Sequence, residues 1–262
     1  MKIIRLKSFL TLLVILFIVV LSTSARTFMG FSSYELPGET NPLFVAYPLS
    51  LKEHRQQTKD YVRAYSERER IFIIHIFDKG KKFFPRAIGI LNKYDVPIEL
   101  RMLPVLESEF NANAVSRAGA VGYWQFMSEL AGDYGLRTGG KYDDRKNFSK
   151  STTAAAKFFR DQLGYFNEDL LLCVAAYNCG PGRVCSSIKK SGKKDADFWD
   201  IKKFLPAETR KFVMNFIALN VIAANYDKFI DRKLDFNEAP VVQFASLDSI
   251  KSLDSIPVRI VL

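Results

Sequence analysis

Apolar and polar positions alternate along this chain with a helical period over most of its length. Arg68 to Lys79 and Phe83 to Lys93 place apolar side chains three and four apart, the spacing of one helix face. Pro97 to Phe110 continues the pattern: Leu100, Leu103 and Glu107 share a stripe, so an apolar ridge ends in a carboxyl group. Pro104 removes a helix hydrogen bond, which predicts a bend just before Glu107. Ser149-Lys-Ser-Thr-Thr153 supplies capping residues ahead of Ala154-Ala-Ala-Lys-Phe-Phe159. Leu170-Leu-Leu-Cys-Val-Ala-Ala176 is apolar all round, which predicts a buried helix over Glu168 to Asn178 with Gly180 as its C-cap. A long last helix is expected from Ala207 to Tyr226, behind Pro206. The fold class read from this pattern is mainly α.

The two ends differ from this body. In residues 1–25, Lys2, Arg5 and Lys7 precede the apolar run Phe9 to Leu21 and the small-residue exit Ser22-Thr-Ser-Ala25. That is the build of a secretory signal peptide, or of an N-terminal membrane anchor if the segment is not cleaved. Membrane association through residues 8–25 follows from the second reading; either way the rest of the chain is expected to be exported, to the periplasm or cell envelope. Residues 26–60 read as a linker and leading helix, with breaks at Pro37-Gly38 and Asn41-Pro42. Residues 233–262 read as a C-terminal tail with short β-like runs and no wall-binding module.

Charge narrows the partners. With 38 Lys+Arg and 28 Asp+Glu the net charge is +10. Without Lys2, Arg5 and Lys7 it is 35 basic against 28 acidic, or +7. A basic surface suits a polyanion, and export argues against nucleic acid. The runs Lys79-Gly-Lys-Lys82 and Lys189-Lys-Ser-Gly-Lys-Lys194 lack the interleaved aromatics of a stacking platform. Cys173, Cys179 and Cys185 read as small, largely buried hydrophobes, with a Cys179–Cys185 bridge as the alternative. Two histidines, His54 and His75, give no zinc-ligand spacing, and no metal or cofactor is expected.

The candidate chemistry centres on Glu107. A carboxyl group among apolar and aromatic side chains has its charged form disfavoured, so its pKa rises toward that of a general acid working near neutral pH. The bland alternative is a carboxylate paired with Arg101 or Arg117. Glu109, two residues on and so about 200° around a helix from Glu107, is expected to point away from it. Asp143 and Asp144, in Tyr142-Asp-Asp-Arg145, look like loop closure through an Asp–Arg pair.

Three ordered motifs accompany that glutamate: Glu107-Ser108, Gly122-Tyr-Trp-Gln125 and Ala176-Tyr-Asn-Cys-Gly180. Together they resemble the lytic transglycosylases of bacterial cell-wall turnover, most of all the membrane-bound lytic murein transglycosylase D type. The resemblance covers residues 61–232, including Asp197-Phe-Trp199 and Leu205-Pro-Ala-Glu-Thr209. It implies a lysozyme-like multi-helix domain (goose-lysozyme or soluble lytic transglycosylase type) with a catalytic cleft. Peptidoglycan glycan strands are the implied partner, and no cofactor is needed. Glu107 is the implied catalytic residue, first acid and then base. Ser108, Gln125, Tyr177 and Asn178 are the implied substrate-binding groups, with Trp124 read as either core or a sugar-stacking platform. Gly119 and Gly122 are expected to allow tight turns.

Two departures matter. The family commonly has a tyrosine after Leu-Pro-x-Glu-Thr where this chain has Phe212, and its wall-binding modules often follow the catalytic domain, where this chain has only the tail. The competing readings are a hydrolytic muramidase of the same fold and a catalytically weak wall-binding scaffold.

Overall fold

A computed structural model describes residues 55–140 and 142–234. The export segment, most of the linker and nearly all of the C-terminal tail read from the sequence lie outside the described residues. The elements run α1 (Arg55–Arg68), α2 (Arg70–Gly80), α3 (Phe84–Lys93), a 3-10 turn (Ile98–Met102), α4 (Leu103–Ser108) and α5 (Ser128–Asp133). After a 3-10 turn at Asp144–Lys146 come α6 (Phe148–Tyr165), α7 (Leu170–Cys179), α8 (Pro181–Ser191) and α9 (Phe198–Ile201). A third 3-10 turn, Lys202–Phe204, leads to α10 (Ala207–Ala224) and α11 (Tyr226–Ile230). Among the described residues there is no strand, only isolated bridges pairing Val121 with Val115 and with Phe126. The mainly α fold class holds. No helix of the described residues is long and apolar enough to cross a membrane.

Caps set most of the boundaries. Asn147 accepts from the Lys150 amide at 3.1 Å to start α6, and Asp169 accepts from the Leu172 amide at 2.9 Å to start α7. Gly180, at φ +86°, ends α7, and Pro181 opens α8 at once. The long helix α10 is the frame: it packs against α1, α7 and α4, and its Val213, Phe216, Ile217, Leu219 and Ile222 are buried. Trp124, Phe126, Phe159, Phe198 and Phe216 are the largest fully enclosed side chains.

The stretch before Glu107 differs from the sequence reading. Pro104 does not bend a continuous helix from Pro97; it lies in the first turn of a separate six-residue helix, α4. In that position its missing N–H costs no helix hydrogen bond. The helix stops after Ser108 because Glu109 and Phe110 both turn left-handed, at φ 53° and 54°. Glu107 therefore sits in the last turn of a short, rigidly packed helix.

Candidate active site

Glu107 is half-buried and lines an open cleft of about 420 Å³. Lys79, Leu106, Ser108, Glu109 and Asn111 line that cleft with it. The remaining surroundings of Glu107 are dense protein. This desolvation, with the negative charge of Glu208 second, pushes its pKa up from 4.5 to about 8. The arginine-paired alternative fails here: neither Arg101 nor Arg117 is among the causes of the Glu107 shift, and buried Arg101 donates to the Ile98 carbonyl at 3.0 Å. A carboxyl group at the wall of a cleft of ligand size, held protonated at neutral pH, is a proton donor in position.

The three motifs meet on one segment of backbone. The carbonyls of Gly122, Tyr123, Trp124 and Phe126 each accept a hydrogen bond from a different side chain. Gln125 Nε2 donates to Gly122 at 2.9 Å and also to Ala114 at 3.1 Å. Ser108 Oγ donates to Tyr123 at 2.8 Å, and the Tyr177 hydroxyl donates to Trp124. Arg145 Nη1 donates to Phe126 at 3.1 Å. The loop behind Glu107 is thus pinned from α4, from α7 and from the turn ahead of α6. Gly122 is required in it: its φ is +82°, and a Cβ there would lie 2.2 Å from the Arg145 carbonyl oxygen.

This accounting defines what remains for a ligand. The Ser108 and Tyr177 hydroxyl hydrogens and the Gln125 amide hydrogens are committed to the loop, leaving oxygen acceptors on all three. Asn178 accepts from Thr209 Oγ1 at 2.7 Å through Oδ1, so its amide N–H groups are what it can offer. Tyr177 lies close enough to Glu107 for that carboxylate to raise its phenol pKa, after burial as the larger cause. Its ring packs against Trp124, Phe126, Phe158 and Phe159.

Trp124 is not a sugar-stacking platform: its side chain is fully enclosed and its Nε1 donates to buried Thr152 Oγ1 at 2.9 Å, so only its carbonyl serves the site. Helical phase does not govern Glu109, which lies past the end of α4 in a left-handed turn and lines the cleft, its carbonyl accepting from Lys79 Nζ. Asp143 and Asp144 are held in ion pairs. Asp143 binds Arg145 at 2.7 Å, and Asp144 binds Arg137 at 3.1 Å and Lys150 at 2.8 Å. These cations hold both carboxyl groups below the usual range. Cys173, Cys179 and Cys185 are free thiols.

The acidic residue that the charge of Glu107 does feel is Glu208, exposed in the first turn of α10. Beside it, buried Thr209 ties α10 to Asn178. Both belong to Leu205-Pro-Ala-Glu-Thr209, a motif the sequence offers without a role. Phe212 lies one helical turn on, half-buried against the core.

Comparison with known proteins now places this arrangement. Residues 89–199 match the Transglycosylase SLT domain. The chain carries an SLT transglycosylase domain. Over 177 residues, 67% of this chain, it is 35% identical to membrane-bound lytic murein transglycosylase D of Escherichia coli K12. It spans 38% of that relative's length. A tributyltin chloride resistance protein described as putative, from Alteromonas sp. strain M-1, is 36% identical over 40% of this chain and 50% of its own. Among solved structures, an inactive mutant of the lytic transglycosylase Slt from Pseudomonas aeruginosa overlaps with a TM-score of 0.45. That overlap has 22% identity and covers 61% of this chain and 26% of the other. The SLT match begins at residue 89 and stops at 199, so α1, α2 and α10 lie outside it. Lys79, Glu208 and Thr209, which border or tune the site, therefore come from the chain's flanking helices.

Proposed function

We propose that this protein is a peptidoglycan lytic transglycosylase in which Glu107 acts as acid and then as base. The observation that carries the reading is the Glu107 carboxyl group itself, desolvated, protonated near neutral pH and open to a cleft. In the first step the Glu107 proton passes to the glycosidic oxygen as the bond from C1 of N-acetylmuramic acid to O4 of N-acetylglucosamine breaks. In the second, the Glu107 carboxylate takes the proton of the muramyl C6 hydroxyl while O6 bonds to C1. The product ends in a 1,6-anhydro ring, no water is consumed, and Glu107 is protonated again. A pKa near 8 suits both roles, because the driving forces for giving and retaking the proton are then balanced near working pH.

The acceptor oxygens of Gln125 and Tyr177 and the amide of Asn178 suit a sugar acetamide and hydroxyl groups. Holding the C6 hydroxyl against C1 is an intramolecular advantage, so a second catalytic carboxylate is not required. The E. coli relative is described as membrane-bound, and residues 1–25 read as an export segment. Both support action on the wall from the envelope, with the N-terminal segment as signal or anchor.

A second reading, a hydrolytic muramidase, rests on Glu208, whose charge reaches Glu107 and which could activate water. Mass spectrometry of products from peptidoglycan sacculi decides between them. Soluble products ending in 1,6-anhydro-N-acetylmuramic acid, absent with Glu107→Gln, are expected. Reducing ends would establish the muramidase. Wall binding without products would establish a scaffold.

A further inference from the structure

The cleft beside Glu107 holds a cation that the reaction above does not use. Lys79, in the last turn of α2, sends its ammonium to the carbonyl of Glu109 at 2.6 Å, thirty residues along the chain. That bond meets the left-handed turn that ends α4 and places the cation on the cleft wall two residues from the acid. The bond uses one of three N–H donors; two remain. Among the described residues no carboxylate lies within ion-pair distance of it: neighbouring Asp78 pairs with Lys81 at 3.1 Å. The side chain is half-buried, so its charge is incompletely screened by water. Glu109 lines the same wall, but through its carbonyl it fixes Lys79 rather than neutralising it.

A cation fixed in advance by a main-chain carbonyl loses little freedom when it meets an anion. If Glu107 is the acid proposed above, on which this inference rests, the bound strand brings carboxylates with it. The muramyl 3-O-lactyl group carries a free carboxylate where the stem peptide has been removed, and the stem itself carries carboxylates where it remains.

We propose that Lys79 is the anion-reading group of this cleft, its ammonium contacting a carboxylate on the muramyl 3-O-substituent. Lys79 sits on α2, outside the matched SLT residues 89–199.

The test uses the full-length protein and four glycan preparations. Two are peptide-free strands, with lactyl carboxylates free or converted to methylamides. Two carry stem peptides, with their carboxylates free or amidated in the same way. Free carboxylate strands are expected to be turned over about fivefold faster in kcat/KM than their amidated counterparts, the size of a partly screened charge contact. That ratio should shrink with added salt, fall close to one in Lys79→Met and be largely retained in Lys79→Arg. A preference confined to the peptide-free pair assigns the contact to the lactyl group, and one confined to the other pair assigns it to the stem. Equal rates with wild type, or a ratio unchanged in Lys79→Met, overturn the proposal. Absence of products from all four strands would instead sink the transglycosylase reading. In that case, equilibrium binding of the same strands to Glu107→Gln and to the Lys79→Met, Glu107→Gln double variant still decides the role of Lys79, by whether the carboxylate preference is present in the first and lost in the second.

Discussion

The desolvation that raises the pKa of Glu107 also carries a stability cost. In the unfolded chain its carboxyl group ionises at about 4.5; folded, at about 8. Below pH 4.5 both states hold the proton and there is no penalty. Between 4.5 and 8 the unfolded state releases it and the folded state keeps it, so stability falls as pH rises. Glu107→Gln removes the effect. It should stabilise the protein by about 2–4 kcal/mol at pH 8, the upper figure being the shift realised by that pH at about 1.4 kcal/mol per unit and the lower allowing for solvent screening at the cleft, and hardly at all at pH 4, read from thermal melts at both values. The same substitution should cut turnover by roughly 10²- to 10⁴-fold, the usual worth of a positioned acid–base group. In the wild type, kcat/KM should decline above about pH 8, as the acid loses its proton. Glu208→Gln removes a negative charge that holds that proton in place, so the alkaline limb should move to lower pH. If Glu208 only tunes Glu107, the plateau rate stays within about tenfold of wild type. A drop of roughly 10²-fold or more would make Glu208 the water-activating base of a muramidase.

At the scale of elements, the site is a short helix backed by a pinned loop. The four carbonyls from Gly122 to Phe126 are held by Gln125, Ser108, Tyr177 and Arg145. Those partners come from positions up to 69 residues apart in sequence, and a motif cannot show that its members converge on backbone rather than on ligand. Gly180 ends α7 as read from the sequence, but α6 starts earlier than read: Asn147 caps it, and Ser149 to Thr153, read as its capping residues, lie inside the helix. The segment around Glu107 was less legible, because Pro104 is compatible both with a kink and with a helix start, and only packing chooses. Trp124 was left open for a related reason: an indole next to Gln125 suits a sugar face or a core, and Thr152 at its Nε1 puts it in the core. Glu208 stayed without a role since its relation to Glu107 spans 101 residues of sequence and no local pattern records it. Gly122→Ala tests the loop. The strained φ of +82° and the 2.2 Å approach to the Arg145 carbonyl should together cost about 2–4 kcal/mol. The lowered melting temperature should be accompanied by a loss of activity larger than the unfolded fraction explains, as Glu107 loses its backing.

For the molecule as a whole, the matched domain and the working unit differ in extent. Residues 89–199 contain Glu107 and the loop behind it, but α10 follows them. That helix buries Val213, Met214, Phe216, Ile217, Leu219 and Ile222 against α1, α7 and α4, and its Thr209 holds Asn178. Each buried aliphatic or aromatic side chain contributes about 1.5–3 kcal/mol of transfer free energy, so losing six of them removes about as much as a domain's entire net stability of 5–15 kcal/mol. Worse, the apolar faces of α4 and α7 that α10 covers would be left to water. A fragment of residues 89–199 should therefore lack a cooperative melt by circular dichroism and show no sharp near-ultraviolet signal. A fragment of residues 55–234, which restores α10 and also α1 and α2, should melt cooperatively and keep the cleft with Lys79 in place. If the shorter fragment folded and cleaved peptidoglycan, α10 would be an accessory to the site rather than its frame, and the influence of Glu208 on Glu107 would have no part in the working pKa of the acid.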